Sequence, residues 1–122
     1  MKKKFERTII LIAHNLRSCH NVGSLLRTAE GLGVSKVYLT GYTPYPTQIN
    51  DDRLPHIYSK ITAQITKTSL GAEKYTEWEH CEDVIKLICE LKSSGHQVVG
   101  LEQTDHSIDI DKFKPKDKAV LV

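Results

Sequence analysis

Asn21-Val22-Gly23-Ser24-Leu25-Leu26-Arg27-Thr28-Ala29 is the stretch from which the fold can be read outward. It follows the apolar run Ile9-Ile10-Leu11-Ile12-Ala13 and the polar segment His14-Asn15-Leu16-Arg17-Ser18-Cys19-His20. Beyond it stand Gly31, Gly33 and a second apolar run, Val37-Tyr38-Leu39. This order predicts strand, loop, helix, strand, the opening of an α/β unit. Asn21 has the side chain of an N-cap, whose oxygen takes a free N–H of the first turn. Val22, Leu25, Leu26, Ala29 and Leu32 recur at helical spacing and predict one apolar stripe. Gly33 suits the left-handed position that ends such a helix. On a helical wheel Arg27 falls nearly opposite the stripe. Gly23 lies one turn earlier on the same side, which predicts a side-chain-free surface beside the guanidinium. A solvated helix arginine and an arginine facing a ligand or partner both fit this placement.

The two flanking apolar runs are nearly continuous, as in strands of a parallel sheet covered on both faces. The strands are expected over residues 7–13 and Lys36–Thr40. Residues Gly41 to Pro55 read as a loop rich in proline and turn formers. A loop of this length in a compact domain is usually functional or mobile. It carries Tyr42, Tyr45 and Arg53. Aromatic rings beside a positive charge could stack on bases, and ordinary loop packing accounts for them equally well. Ile57, Ile61, Ile65 and Leu70 suggest a helix with a narrow stripe. Ser69 to Glu73 is a break, and Tyr75 to Trp78 is a short strand or extended link. Val84, Ile85, Leu87, Ile88 and Leu91 predict a helix from His80 to Ser94, with Glu82 and Asp83 in its first turn and Gly95 after its end. Gln97 to Leu101 and Ala119 to Val122 read as further buried strands. The polar segment Glu102 to Asp111 is a loop between them.

A chain of 122 residues that is 39% hydrophobic and 26% charged is expected to form one globular domain, residues 7–122, behind a basic tail at residues 1–6. The net charge of +2 is too small to identify a polyanion partner by itself. Its distribution says more, for residues 1–61 carry nine Lys and Arg against four Asp and Glu, and residues 62–122 carry eight against eleven. The excess of positive charge therefore sits with the opening motif, which suits a nucleic acid on that side. Cys19, Cys81 and Cys89 contain no CxxC pair and read as free thiols of a reducing, cytoplasmic compartment. The apolar run after Met1-Lys2-Lys3-Lys4 is too short for a signal peptide, and no run approaches the roughly 20 residues that span a membrane.

The common catalytic patterns are missing. The chain contains no GxGxxG, no GxxxxGK[ST] and no GxSxG, which counts against a dinucleotide fold, a P-loop and a hydrolase elbow. His14, Cys19 and His20 match no zinc spacing, so no metal is expected. Asp51-Asp52 and Glu82-Asp83 are explained by solvation in a loop and at a helix start.

Asn15-x-Arg17-Ser18-x-x-Asn21-Val22-Gly23-x-x-x-Arg27-Thr28-Ala29, followed by Gly33-Val34 before a strand, resembles the first motif of the SpoU-type (TrmH-like) RNA 2′-O-ribose methyltransferases of the SPOUT superfamily. Lys67-x-Ser69-x-Gly71-Ala72-Glu73 and Val98-Val99-Gly100-Leu101-Glu102 resemble that family in the same order. The resemblance covers the chain from residue 8 onward. It implies an α/β, Rossmann-like domain with a mainly parallel sheet, helices on both faces and a C-terminal trefoil knot that binds S-adenosyl-L-methionine. It also implies a homodimer.

By the same resemblance Arg27 is the catalytic arginine, and Asn21 positions its loop. Leu101, Glu102 and Thr104 belong to the first of the cofactor loops. Arg17, Arg27 and Arg53 are the candidate contacts to tRNA or rRNA. An arginine keeps its proton under physiological conditions. Arg27 would therefore act as a cationic donor to a phosphate and a developing alkoxide, and not as a base. The family's glycine-rich Asn-Glu loop, which follows a strand like Ala119 to Val122, and its third motif do not occur in this chain. The chain is thus expected to be the N-terminal portion of such an enzyme, ending before the knot and inactive alone. A non-catalytic RNA-binding or dimerisation module is the alternative. A different small nucleotide-binding domain would need phosphate-loop glycines that the chain lacks.

Overall fold

Thr8–His14 forms the first strand (β1) and takes the centre of the sheet. The computed structural model describes residues 7–122, and the basic tail expected at residues 1–6 lies outside the described residues. After β1 come a helix Cys19–Leu32 (α1), a strand Lys36–Thr40 (β2), a helix Pro55–Ser69 (α2) and a 3-10 turn Ala72–Lys74. The second half contributes a strand Trp78–Cys81 (β3), a helix Val84–Ser93 (α3), a strand Gln97–Val99 (β4), a 3-10 turn Ile110–Lys112 and a strand Lys118–Leu121 (β5).

The sheet runs β3-β2-β1-β5-β4, and every neighbouring pair is parallel. Leu11 pairs with Val37 on one side and Leu121 on the other, so β1 is enclosed by apolar neighbours. That enclosure is what its unbroken apolar run requires. Alternate residues of β1 feed two separate cores. Ala13 joins Val37, Leu39, the α1 residues Val22, Leu26 and Ala29, and Ile65 of α2. Ile10 and Ile12 join Val120 and the α3 residues Leu87 and Leu91 on the opposite face. The expected parallel α/β sheet with helices on both faces is therefore present.

Several boundaries differ from expectation, each for a local reason. Ser18, not Asn21, caps α1: its Oγ accepts the Asn21 N–H at 3.1 Å, so the helix starts one turn earlier. Gly33 ends α1 in the left-handed region (φ 71°) as expected, but Leu32 points outward and is exposed. Pro55 belongs to α2 as its first residue, where a missing N–H costs nothing. Trp78–Cys81, expected as a short strand or extended link up to Trp78 and as helix from His80, is an edge strand beside β2. Four residues are too few to show a period. The helix after it begins later than His80, because Asp83 is its cap and accepts the Lys86 N–H at 3.0 Å. Ile85 is exposed, so the apolar face of α3 is narrower than the sequence suggests. β4 stops at Val99, although the Leu101 N–H still reaches the Val122 carbonyl at 2.9 Å.

Candidate nucleic-acid interface at the carboxyl rim of the sheet

In open parallel sheets ligands bind beyond the carboxyl ends of the strands. Here the ends of β1 and β2 are stitched into one rim. His14 Nδ1 is hydrogen-bonded to Thr40 Oγ1 at 2.9 Å. Asn15 adopts a left-handed conformation (φ 56°), gives its N–H to the Thr40 carbonyl, and accepts the Tyr42 N–H on Oδ1 at 3.0 Å. Gly41, also left-handed (φ 63°), makes room for that amide, because a Cβ there would stand 1.9 Å from Asn15 Oδ1. Buried Thr43 accepts the Leu16 N–H at 3.0 Å and donates to the Ala13 carbonyl at 2.9 Å.

The helix that leaves this rim is pressed against α2. Gly23 is buried, and a Cβ on it would stand 2.1 Å from Thr68 Oγ1 and 2.3 Å from the Ile65 carbonyl. The open surface expected beside Arg27 is therefore filled by α2. Thr68 Oγ1 donates to the His20 carbonyl at 2.7 Å across the same contact. The turn after α2 is held by Glu73, which accepts from Ser69 Oγ and from Thr66 Oγ1, while its carbonyl takes the Trp78 indole N–H. Burial would raise the Glu73 pKa, but the donors from Ser69, its own backbone and Thr66, with Lys74 nearby, hold it below the usual value of 4.5. Ser69 and Glu73 of the segment Lys67-x-Ser69-x-Gly71-Ala72-Glu73 thus have a structural explanation.

Most of the first motif also has a structural task. Asn15 latches two loops, Ser18 caps a helix, Val22 and Ala29 fill the core, and Gly23 permits the helix crossing. Arg17, Asn21 and Arg27 are what remain, apart from the exposed Thr28. All three are exposed, and their side chains make no hydrogen bond or ion pair with the described residues. Arg17 and Asn21 sit at the rim. Arg27 lies six residues beyond Asn21, about 9 Å along the helix axis and on a different flank. The structure therefore places these three on one loop-and-helix unit without gathering them into one cluster.

Arg53 has a different environment. Its Nε and one terminal nitrogen bind both oxygens of Asp51, and its remaining contacts go to the Tyr45 and Pro46 carbonyls at 3.0 Å. It also lies 3.6 Å over the Tyr45 ring, which stacks on His80 at 3.9 Å. The Asp51 side chain is only 3% exposed, and the hydrogen bonds from Arg53 hold its carboxyl well below the usual carboxylate range. Arg53 and Tyr45 therefore close the loop upon itself, which is the packing explanation left open by the sequence. The signal for this packing is the Asp51-x-Arg53 spacing, which on its own also fits a turn with solvated charge.

Leu101, Glu102 and Thr104 follow β4, two strands away from β1. They line a cavity of about 570 Å³ together with Ile9, Ile108 and Phe113. Ile9 shares a strand face with Leu11 and Ala13, so this cavity opens on the α1 side of the sheet. Its size is within the range of small-molecule sites. Its apolar walls suit an adenine ring, and the Glu102 carboxylate suits hydroxyl or ammonium donors, so the residues fit S-adenosylmethionine in chemistry. Burial pushes the Cys19 thiol up, which makes it a poor nucleophile. Among the described residues no group of three or more His, Cys, Asp or Glu is placed to hold a metal. Nor, among them, is any helix long and apolar enough to cross a membrane.

Comparison with known proteins gives this geometry a context. A Staphylococcus epidermidis protein assigned to the TrmH family of tRNA/rRNA methyltransferases is 30% identical over 101 residues, or 83% of this chain. In both sequence and fold the chain is similar to the TrmH (SpoU) family. It spans about a third of that relative's length, 35%. The TrmH/SpoU tRNA modifying enzyme of A. aeolicus has the same fold, with a TM-score of 0.66 at 21% identity over 97% of this chain and 54% of its own. The AdoMet-bound rRNA methyltransferase from Sinorhizobium meliloti superposes with a TM-score of 0.71 at 19% identity, over 95% of this chain and 39% of its own. No family model matches the chain. The expected TrmH-type α/β domain is thereby found both in sequence and in fold.

Proposed function

We propose that this TrmH-like protein acts in the methylation of a ribose 2′-hydroxyl in tRNA or rRNA, as a homodimer in the cytoplasm and with S-adenosylmethionine as methyl donor. The observation that carries this reading is the residue of the first motif. Once latch, cap, core and crossing are accounted for, Arg17, Asn21 and Arg27 are, with Thr28, left exposed and without hydrogen-bond or ion-pair partners among the described residues. Two of the three are the guanidinium groups that bind phosphate best.

When bound, S-adenosylmethionine supplies an electrophilic methyl on a positively charged sulfur. Leu101, Glu102 and Thr104, with the apolar walls of their cavity, would hold and orient it. Arg27 would hold the phosphate beside the target ribose and stabilise negative charge developing on the 2′-oxygen. The rigid contact of α1 with α2 fixes its backbone, so little ordering is left to be done on binding. Restriction to RNA follows from the reacting hydroxyl itself.

Single-turnover methylation of RNA by the Arg27→Ala variant tests the reading. A fall of about 100-fold or more with an unchanged fold supports it, whereas a near-normal rate removes Arg27 from the chemistry. The exposure of Leu101, Glu102 and Thr104 favours a second reading for the chain alone, a non-catalytic RNA-binding or dimerisation module. Calorimetric titration with S-adenosylmethionine separates the two, since tight binding excludes the module.

A further inference from the structure

We propose that Tyr42 and Arg17 form a platform on which one unpaired RNA base stacks. The inference rests on the reading that the partner is RNA, and it adds a contact made by the loop after β2. The two tyrosines of that loop have opposite fates. Tyr45 is consumed by packing, between His80 and the Arg53 guanidinium. Tyr42 is 59% exposed, so its ring is open to a partner.

The exposed ring is not on a loose tip. Its own N–H is held by Asn15 Oδ1, the preceding Gly41 closes on that same amide, and the following Thr43 is buried and bonded to both Leu16 and Ala13. The backbone that carries Tyr42 is thus fixed on both sides, and Leu16, next to Arg17, is fixed with it. Presenting an aromatic ring from a rigid frame lowers the entropy lost on stacking.

Charge on the platform has one sign. The Arg17 guanidinium lies 5.9 Å from the Tyr42 ring centre, near the outer limit of a cation–π contact, and pairs with no carboxylate among the described residues. Residues 7–29 contain Arg7, Arg17 and Arg27 but no Asp or Glu. An aromatic face with a cation at its side matches the repeat of a single strand, a base followed by a phosphate. A duplex keeps its base faces inside its own stack and offers the ring nothing to stack on. An acidic peptide would use Arg17 and leave Tyr42 idle.

Fluorescence anisotropy of the full chain with a short labelled oligoadenylate, and with an RNA duplex of equal length, tests the platform. Tyr42→Ala is expected to weaken oligoadenylate binding about tenfold without altering its salt dependence, and Tyr42→Phe to keep it within about twofold. Arg17→Ala is expected to weaken binding and to flatten the salt dependence by about one phosphate contact. Equal binding by the wild type and Tyr42→Ala, or preference for the duplex, overturns the proposal. Binding that survives Tyr42→Ala but is lost in Arg27→Ala sinks the platform and leaves the RNA reading intact. No salt-dependent binding of either RNA sinks both.

Discussion

Gly23 of α1 meets the Ile65 carbonyl of α2 so closely that a Cβ on the glycine would stand 2.3 Å from that oxygen. Two opposed effects follow for Gly23→Ala. Alanine in a helix interior is favoured over glycine by about 1 kcal/mol. Overpacking against backbone costs about 1–3 kcal/mol and sometimes more, and here Thr68 and Ser69 are struck as well. Backbone cannot rotate away as a side chain can, so the clash wins. Chemical denaturation of Gly23→Ala is expected to show a net loss of about 2 kcal/mol. An unchanged midpoint would mean that the helices separate freely.

The same reasoning applies to the rim. Gly41 combines a left-handed backbone with a position where a Cβ would overlap Asn15 Oδ1. Gly41→Ala should cost about 1–3 kcal/mol and break the Asn15–Tyr42 latch. Amide exchange at Tyr42 reports the latch directly, and protection retained in the variant would contradict the contact.

Glu73 links stability to pH. Its pKa is depressed in the folded protein, so its contribution is complete above the unfolded value of 4.5 and is lost as pH falls through the lower folded value. Glu73→Gln should be less stable than the wild type at neutral pH, by about 1 kcal/mol. The gap should close as the pH falls through that lower folded value. Urea unfolding of both proteins across that range checks the sign, and a gap that widens in acid would refute the hydrogen-bond account.

Arg53→Ala opens the loop over residues 41–54, because Asp51 loses its partner and Tyr45 its cover. Limited proteolysis within this loop should speed up several-fold, while RNA affinity should fall far less than in Arg27→Ala. Equal losses of RNA affinity would return Arg53 to the interface.

Arg27→Ala itself should leave stability within about 0.5 kcal/mol of the wild type, since the side chain is exposed and unpaired among the described residues. Thermal unfolding measured beside the turnover assay separates a lost contact from a lost fold.

Local pattern was enough for much of the molecule. The unbroken apolar run Ile9–Ala13 required a strand covered on both faces, because neither side of it tolerates water. The spacing of Val22, Leu26 and Ala29, with Gly33 behind them, required a helix of about this length. The motif residues Asn15 to Ala29 carried the family resemblance. These features depend on neighbours within a few positions, which is all that a sequence displays directly.

The tertiary structure decided what depends on partners far along the chain. Gly23 was to be an open surface and is a helix crossing, because α2 arrives from residues 65–69. Asn21 was to be the cap, yet Ser18 has the right geometry once β1 ends in a left-handed Asn15 latched to Tyr42. Arg53 was a candidate for RNA and is held by Asp51 and two carbonyls. Exposure, too, separated Tyr42 from Tyr45, since β3 brings His80 to only one of them. Whether a polar side chain is spent or free depends on which groups folding brings within hydrogen-bond distance, and that distance is not written in the order of the residues.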